Sequence, residues 1–200
     1  MLFGAAMLLV PGSALAQSST STGGRWQPAS KRSTVNISTG RKPYHIDPIY
    51  EPQTVSFPGY KPGTIVIDPK EKFLYFVLTP LTARRYGVAV GRDGMDFHGT
   101  VTVQVKTEWP RWIPTADMVK NEPQKYARYK NGMDGGPSNP LGARALYLYQ
   151  GNRDTYLRIH GTTDPASIGH AASHGCFRMV NEHVIDLFNR VQVGAQVIVR

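Results

Sequence analysis

The stretch TVTVQVK, residues 100–106, alternates without interruption. Val101, Val103 and Val105 fall on one side, and Thr100, Thr102, Gln104 and Lys106 on the other. A two-residue period places one set of side chains on a buried face and the other toward water, which is a half-buried β-strand. Working outward, shorter apolar runs of the same kind recur. TIVID (64–68) and FLYFVL (73–78) flank the turn-forming DPKEK, a hairpin signature. YGVAVG (86–91), ALYLY (145–149), YLRIH (156–160) and AQVIV (195–199) follow, the middle pair joined by QGNRDT. Seven short strands with Gly/Pro turns predict a mainly β fold, a β-sandwich or barrel-like sheet pair. About 140 residues suffice for one such core.

One helix is expected near the end. Val184, Leu187, Phe188 and Val191 form an apolar stripe, with Asn181 as cap, Glu182 in the first turn, Arg190 in the last and Gly194 beyond it. Residues 108–142 are rich in Pro and Gly and hold two tryptophans. A connection that long predicts a lid-like loop or substrate wall, in a mainly β domain that carries short helices.

Ahead of these strands the composition changes twice. Residues 1–10 are apolar and Ala14-Leu15-Ala16 is a small-residue cleavage pattern, so 1–16 reads as a secretory signal, although no basic residue precedes the apolar run. Residues 17–60 are rich in Ser, Thr, Gly and Pro and predict a flexible tether. Residues 61–200 are the expected folded domain. No later stretch is apolar enough to span a bilayer, so the mature chain is expected to be exported, with no integral membrane segment. A net charge of +9 suits an anionic partner such as a cell-wall polymer, and the lack of a dense basic run interleaved with aromatics argues against nucleic acid.

The chain has one cysteine, so no internal disulfide can form. It lies in SHGCFRM, residues 173–179. A lone cysteine is ordinarily a small buried hydrophobe, but this one has polar neighbours. His160 ends a strand, Gly161 follows, and after a 12-residue excursion, GTTDPASIGHAA, come Ser173, His174, Gly175 and Cys176. A histidine within hydrogen-bond reach can take the thiol proton, and the pair then acts as thiolate and imidazolium. The amides of His174, Gly175 and Cys176 could converge on an oxyanion. Ser173 is a turn former or positions an imidazole. Arg178 can offer its bidentate fork to a carboxylate. Taken singly, His160 would be a structural histidine and His170 a surface residue; His45, His98 and His183 suggest no partner. A zinc site from His160, His170, His174 and Cys176 is a minor alternative, because the spacing matches no familiar ligand pattern.

The run IHGT…PASIGHAASHGCFRM (159–179) resembles the signature of the L,D-transpeptidase catalytic domain, the YkuD-type or ErfK/YbiS/YcfS/YnhG family of cell-wall enzymes. The resemblance extends over roughly residues 64–199, through VIDPKEKFLYFV, YGVAVG, WPRWIPT, NPLGARALYL and GAQVIV. It implies a β-sandwich with an active cysteine under a lid or loop, and peptidoglycan cross-linking by transfer of a tetrapeptide stem. By this resemblance Cys176 is the nucleophile and His160 the base. Gly161 stands at the position that orients the base, and here it can do so only through its carbonyl. His174 and Gly175 match the oxyanion-side loop. Arg178 matches a substrate-facing arginine that other members replace by Asn, and Phe177 stands where a smaller aliphatic residue is usual and reads as core packing. The resemblance implies no cofactor and no metal, peptidoglycan stem peptides as partners, work in the periplasm or envelope, and susceptibility to carbapenems. It leaves the acceptor open: a stem amine gives 3-3 cross-links, water gives an L,D-carboxypeptidase, and a protein amine gives an enzyme that anchors an outer-membrane protein. A non-catalytic wall-binding module is the rival from another class, which would not need the thiol.

Overall fold

The computed structural model describes residues 44–172 and 176–200. The expected signal (1–16), the tether up to residue 43, and Ser173, His174 and Gly175 lie outside the described residues. Among those described, eleven strands form one sheet: β1 Gln53–Ser56, β2 Ile65–Asp68, β3 Phe73–Thr79, β4 Thr82–Gly87, β5 Ala89–Gly91, β6 Gly99–Glu108, β7 Arg144–Gln150, β8 Arg153–His160, β9 Ala171–Ala172, β10 Phe177–Arg178 and β11 Gln196–Val199. Four short helices accompany them: α1 Arg92–Asp96, α2 Ala116–Asn121, α3 Pro123–Tyr126 and α4 Asn181–Arg190. No helix among the described residues is long and apolar enough to cross a membrane.

The spatial order is β1-β4-β3-β2-β11-β6-β7-β8-β10-β5-β9. This order forces the sheet to close on itself. β4 is second and β5 is tenth, eight neighbour steps apart. In a flat sheet that separation would be about 38 Å at ~4.8 Å per strand. Only Val88 links the two strands, and two or three residues span no more than about 10 Å. The far edge therefore folds back over the near one. Val88 joins both halves, donating its amide to the Lys72 carbonyl (2.9 Å) and accepting from Gly169 N (3.1 Å). One buried cluster duly draws on both halves: Ile65, Leu74 and Tyr86 pack with Val103, Leu148, Ile159 and Phe177. This is the sandwich or barrel-like arrangement the strand pattern predicts. The run YGVAVG, read as one strand, is divided at this crossing point.

The expected hairpins are present. β2 and β3 pair antiparallel, and the Asp68 carboxylate accepts from Glu71 N (3.1 Å) within the DPKEK turn. β7 and β8 pair with Gln150 opposite Arg153, and the two-residue turn uses Gly151 at φ 59°.

Three expectations need correction. Residues 44–60, assigned to the tether by composition, belong to the fold. β1 pairs with β4, Ile46 is buried with Ala89, Ile168 and Val180, and the Tyr44 hydroxyl meets His183 Nε2 at 3.1 Å. Composition underrates this segment because its few apolar groups pack on a surface formed elsewhere. His183, which suggested no partner, is buried between Tyr44 and the Glu51 carboxylate (3.2 Å). Second, Val105 does not join Val101 and Val103 in the core. A register shift between Val103 and Val105 inserts Gln104, leaving Val105 exposed and turning Lys106 inward. Lys106 Nζ donates to the carbonyls of Phe188 and Val191, both at 2.6 Å, satisfying acceptors that the end of α4 leaves open. Third, Asn181 is not the cap of α4. Val180 occupies the cap position, and Asn181 lies in the first turn with its carboxamide engaged elsewhere.

Candidate active site

The site grows from the pairing of β8 with β10. The two are parallel, with Phe177 beside Ile159 and Arg178 beside His160. Phe177 and Ile159 are fully buried in the core. Alternation then sends Arg178 and His160 to the opposite face, with Cys176 and Arg158 one step back on the same face. Cys176 and His160 are thus diagonal neighbours across two adjacent strands. Backbone bonds lock this register: Met179 N donates to the His160 carbonyl (2.8 Å) and Gly91 N to the Cys176 carbonyl (3.1 Å). The Cys176 side chain is buried, and its thiol donates to the Tyr156 carbonyl at 3.4 Å.

His160 is 5 % exposed, and its Nδ1 lies 2.6 Å from the Gly161 carbonyl. A carbonyl can only accept, so Nδ1 carries the proton and Nε2 presents its lone pair. This is the tautomer that a general base needs. Burial pushes the imidazole pKa down to about 4. The Gly161 and Leu141 carbonyls oppose that shift, while the Arg178 and Arg158 cations add to it. The imidazole is therefore held in its neutral form by its burial.

Gly161 is fixed in place by a knot of backbone and amide. Its N–H donates to the Arg144 carbonyl (3.1 Å). Asn181 Oδ1 accepts from Ala143 N (2.8 Å), and Asn181 Nδ2 donates to the Thr162 carbonyl (3.0 Å). A Cβ at Gly161 or at Gly142 would collide with Asn181 Oδ1. The carbonyl that orients the base thus depends on two glycines and one amide that pack only together.

The 108–142 connection reaches the site at its C-terminal end, where the Leu141 carbonyl faces His160 and Gly142 meets Gly161. It is not structureless. α2 and α3 lie within it, Trp112 and Met133 form a bridge, and buried Asn139 donates to the carbonyls of Pro110, Met133 and Asp134 at 3.0–3.1 Å. Among the sequence candidates, Cys176, His160, Gly161 and Arg178 come together on adjoining strands. Phe177 packs in the core as expected, and His170 is exposed.

Four participants escape a sequence reading: the Asn181 amide, the carbonyls of Tyr156 and Leu141, and the Asp154–Arg158 pair. Arg158 Nη1 and Nη2 each lie 2.7 Å from an Asp154 oxygen, and the guanidinium sits 4.3 Å above the Tyr147 ring. The Arg158 partner holds the Asp154 carboxyl below the usual range. Backbone carbonyls carry no residue-type signal. The only cue for the pair was opposite charge at positions four apart on a strand.

The model of the YkuD family, described as the L,D-transpeptidase catalytic domain, matches residues 62–199. A solved Brucella melitensis protein, described as a probable carnitine operon oxidoreductase, caia, is 62 % identical, with a TM-score of 0.55 over 78 % of this chain and 96 % of that one. The probable L,D-transpeptidase YbiS of Escherichia coli K12 is 33 % identical over 156 residues, covering 73 % of this chain and 47 % of that protein, so the chain spans about half its length. A cysteine-to-serine mutant of the Enterococcus faecium L,D-transpeptidase shares the fold at 15 % identity and a TM-score of 0.51, over 69 % of this chain and 49 % of that one. A β fold that closes on itself and a family-model match along residues 62–199 make this chain a member of the YkuD family of L,D-transpeptidase catalytic domains.

Proposed function

We propose that the chain is a peptidoglycan L,D-transpeptidase acting through Cys176. The observation that carries this reading is the buried His160, whose Nδ1 lies 2.6 Å from the Gly161 carbonyl and whose strand runs beside the residues that directly follow Cys176. Cys176 Sγ attacks the carbonyl between the diaminopimelate L-centre and the terminal D-Ala of a tetrapeptide stem. Its proton passes to His160 Nε2. The tetrahedral oxyanion falls to the backbone amides of His174, Gly175 and Cys176, the donors the sequence offers next to the thiol. The C–N bond breaks, D-Ala leaves with the proton from His160, and a thioester remains. An amine of a second stem attacks the thioester, returns the thiol to Cys176 and forms a 3-3 cross-link. Arg178, beside His160 in the register, meets a stem carboxylate. No cofactor or metal enters the scheme.

The wider setting follows from the same reading. An exported enzyme with a net charge of +9 suits an anionic wall polymer in the periplasm or envelope. The test is intact-mass analysis of the enzyme with a disaccharide-tetrapeptide. An acyl adduct on Cys176 with released D-Ala and dimeric muropeptide supports the transpeptidase. D-Ala with tripeptide and no dimer makes the enzyme an L,D-carboxypeptidase, and an adduct resolved only by a protein amine makes it an anchoring enzyme. No adduct and no D-Ala would favour the wall-binding module, or the redox activity named for the Brucella melitensis protein.

A further inference from the structure

We infer that Tyr156 is a positioning residue for Cys176, acting through its main-chain carbonyl, and that Asp154 and Arg158 hold that carbonyl in place. This rests on Cys176 being the nucleophile of the proposed reaction.

The argument begins with backbone geometry. Tyr156 has φ 60°, a left-handed conformation that bulky residues avoid, yet its ring is 81 % exposed and gains little packing in return. Strain that local packing does not repay is found where the surroundings impose it for another purpose. Here they do impose it. Asp154 Oδ1 accepts from Tyr156 N at 2.8 Å, and Asp154 is itself clamped by both Arg158 nitrogens. On the other side, Thr155 Oγ1 donates to the Leu148 carbonyl (2.6 Å) and accepts from Leu157 N (3.2 Å). Tyr147 pairs with Arg158 and Tyr149 with Asp154, so residues 155–157 of β8 face Leu148 alone. The extra backbone bulges outward and turns the Tyr156 carbonyl toward β10, where the Cys176 thiol donates to it.

Two consequences follow. The carbonyl accepts only from the protonated thiol, so it favours S–H over thiolate and fixes the direction of Sγ. It thus works with the neutral His160 to keep the nucleophile silent until a substrate arrives. It also gives the Asp154–Arg158 pair a purpose beyond stability, since an isolated partly exposed pair contributes little.

The experiment measures the pH dependence of iodoacetamide alkylation of Cys176 in the full chain, alongside the rate of acylation by a tetrapeptide stem and thermal unfolding. Asp154→Ala is combined with Arg158→Met, so that no unpaired guanidinium is left beside the thiol. The expected result is alkylation at pH 7 faster by roughly threefold to tenfold, the worth of one net hydrogen bond, with slower acylation. Asp154→Asn combined with Arg158→Met keeps an oxygen for Tyr156 N and should restore the wild-type pH midpoint. Tyr156→Gly retains the carbonyl and takes the same φ readily, so its midpoint should also be that of wild type. An unchanged midpoint in the first double variant overturns the proposal, as does a displaced midpoint in Tyr156→Gly. If the first double variant does not fold, the Tyr156→Gly midpoint still decides. Failure of the wild-type enzyme to be acylated would instead count against the transpeptidase reading, and the alkylation profiles would stand apart from it.

Discussion

Strand β7 has an irregular partner on each side, and the two irregularities meet at the same place. On the β6 side, Val103 faces Leu148 and Val105 faces Tyr147, so Gln104 is extra. On the β8 side, residues 155–157 face Leu148 alone. Both bulges re-aim a group that regular pairing would send elsewhere. The β6 bulge turns Lys106 under the end of α4, where it caps carbonyls. The β8 bulge turns a carbonyl toward the Cys176 thiol. The first uses residues with permitted backbone angles and serves stability. The second holds a tyrosine in a left-handed conformation beside that thiol. Strain, rather than the bulge itself, separates the two.

The largest expected effect lies on the β8 side. Cys176→Ser and His160→Ala should each abolish turnover in the stem-peptide assay while far-UV circular dichroism and the melting transition stay native. Near-normal rates for His160→Ala would remove the base from the scheme. A carbapenem should add its full mass to Cys176, and an unchanged intact mass after long incubation would break the comparison at its centre.

Next comes Arg178→Ala, which should lower kcat/KM by ~10–100-fold, the loss of a charged contact of about 1.5–3 kcal/mol. An unaltered value would place Arg178 in the supporting structure. On the β6 side the effect should be on stability alone. Lys106→Met leaves the Phe188 and Val191 carbonyls without their donor and should cost about 1–3 kcal/mol in denaturant unfolding, with kcat/KM unchanged in the surviving fold. A loss of activity without a loss of stability would erase the distinction between the bulges.

The last expected effect is a pH dependence. The folded pKa of His160 is depressed to about 4, below its ordinary value of 6.5. The unfolded chain therefore binds the proton first as pH falls. The contribution of neutral His160 to stability is complete above about 6.5 and is lost progressively as pH falls through about 4. Thermal melts of wild type and His160→Gln over that window should converge toward acid. Parallel curves would mean that the imidazole is not held neutral.

Much of this was written in the linear chain. The two-residue period of residues 100–103, the short apolar runs at 64–68 and 73–78, and the turn chemistry of DPKEK and QGN determine local β structure, because alternation, β propensity and φ preferences act over a few residues. The apolar stripe of α4 works the same way. The spacing of His160, Gly161 and Cys176, with Arg178 two positions on, pointed to the candidate groups, since an activated thiol needs a nearby base and little else. Three things came only with the tertiary structure. β1 and the segment from residue 44 are ordered by surfaces formed far away in sequence, so their own composition cannot announce them. Val105 and Asn181 were misassigned because a bulge and a distant amide contact override the local pattern. The carbonyls of Gly161 and Leu141, which meet the His160 ring, and of Tyr156, which meets the Cys176 thiol, are the same group in every residue, and only the folded backbone decides where they point.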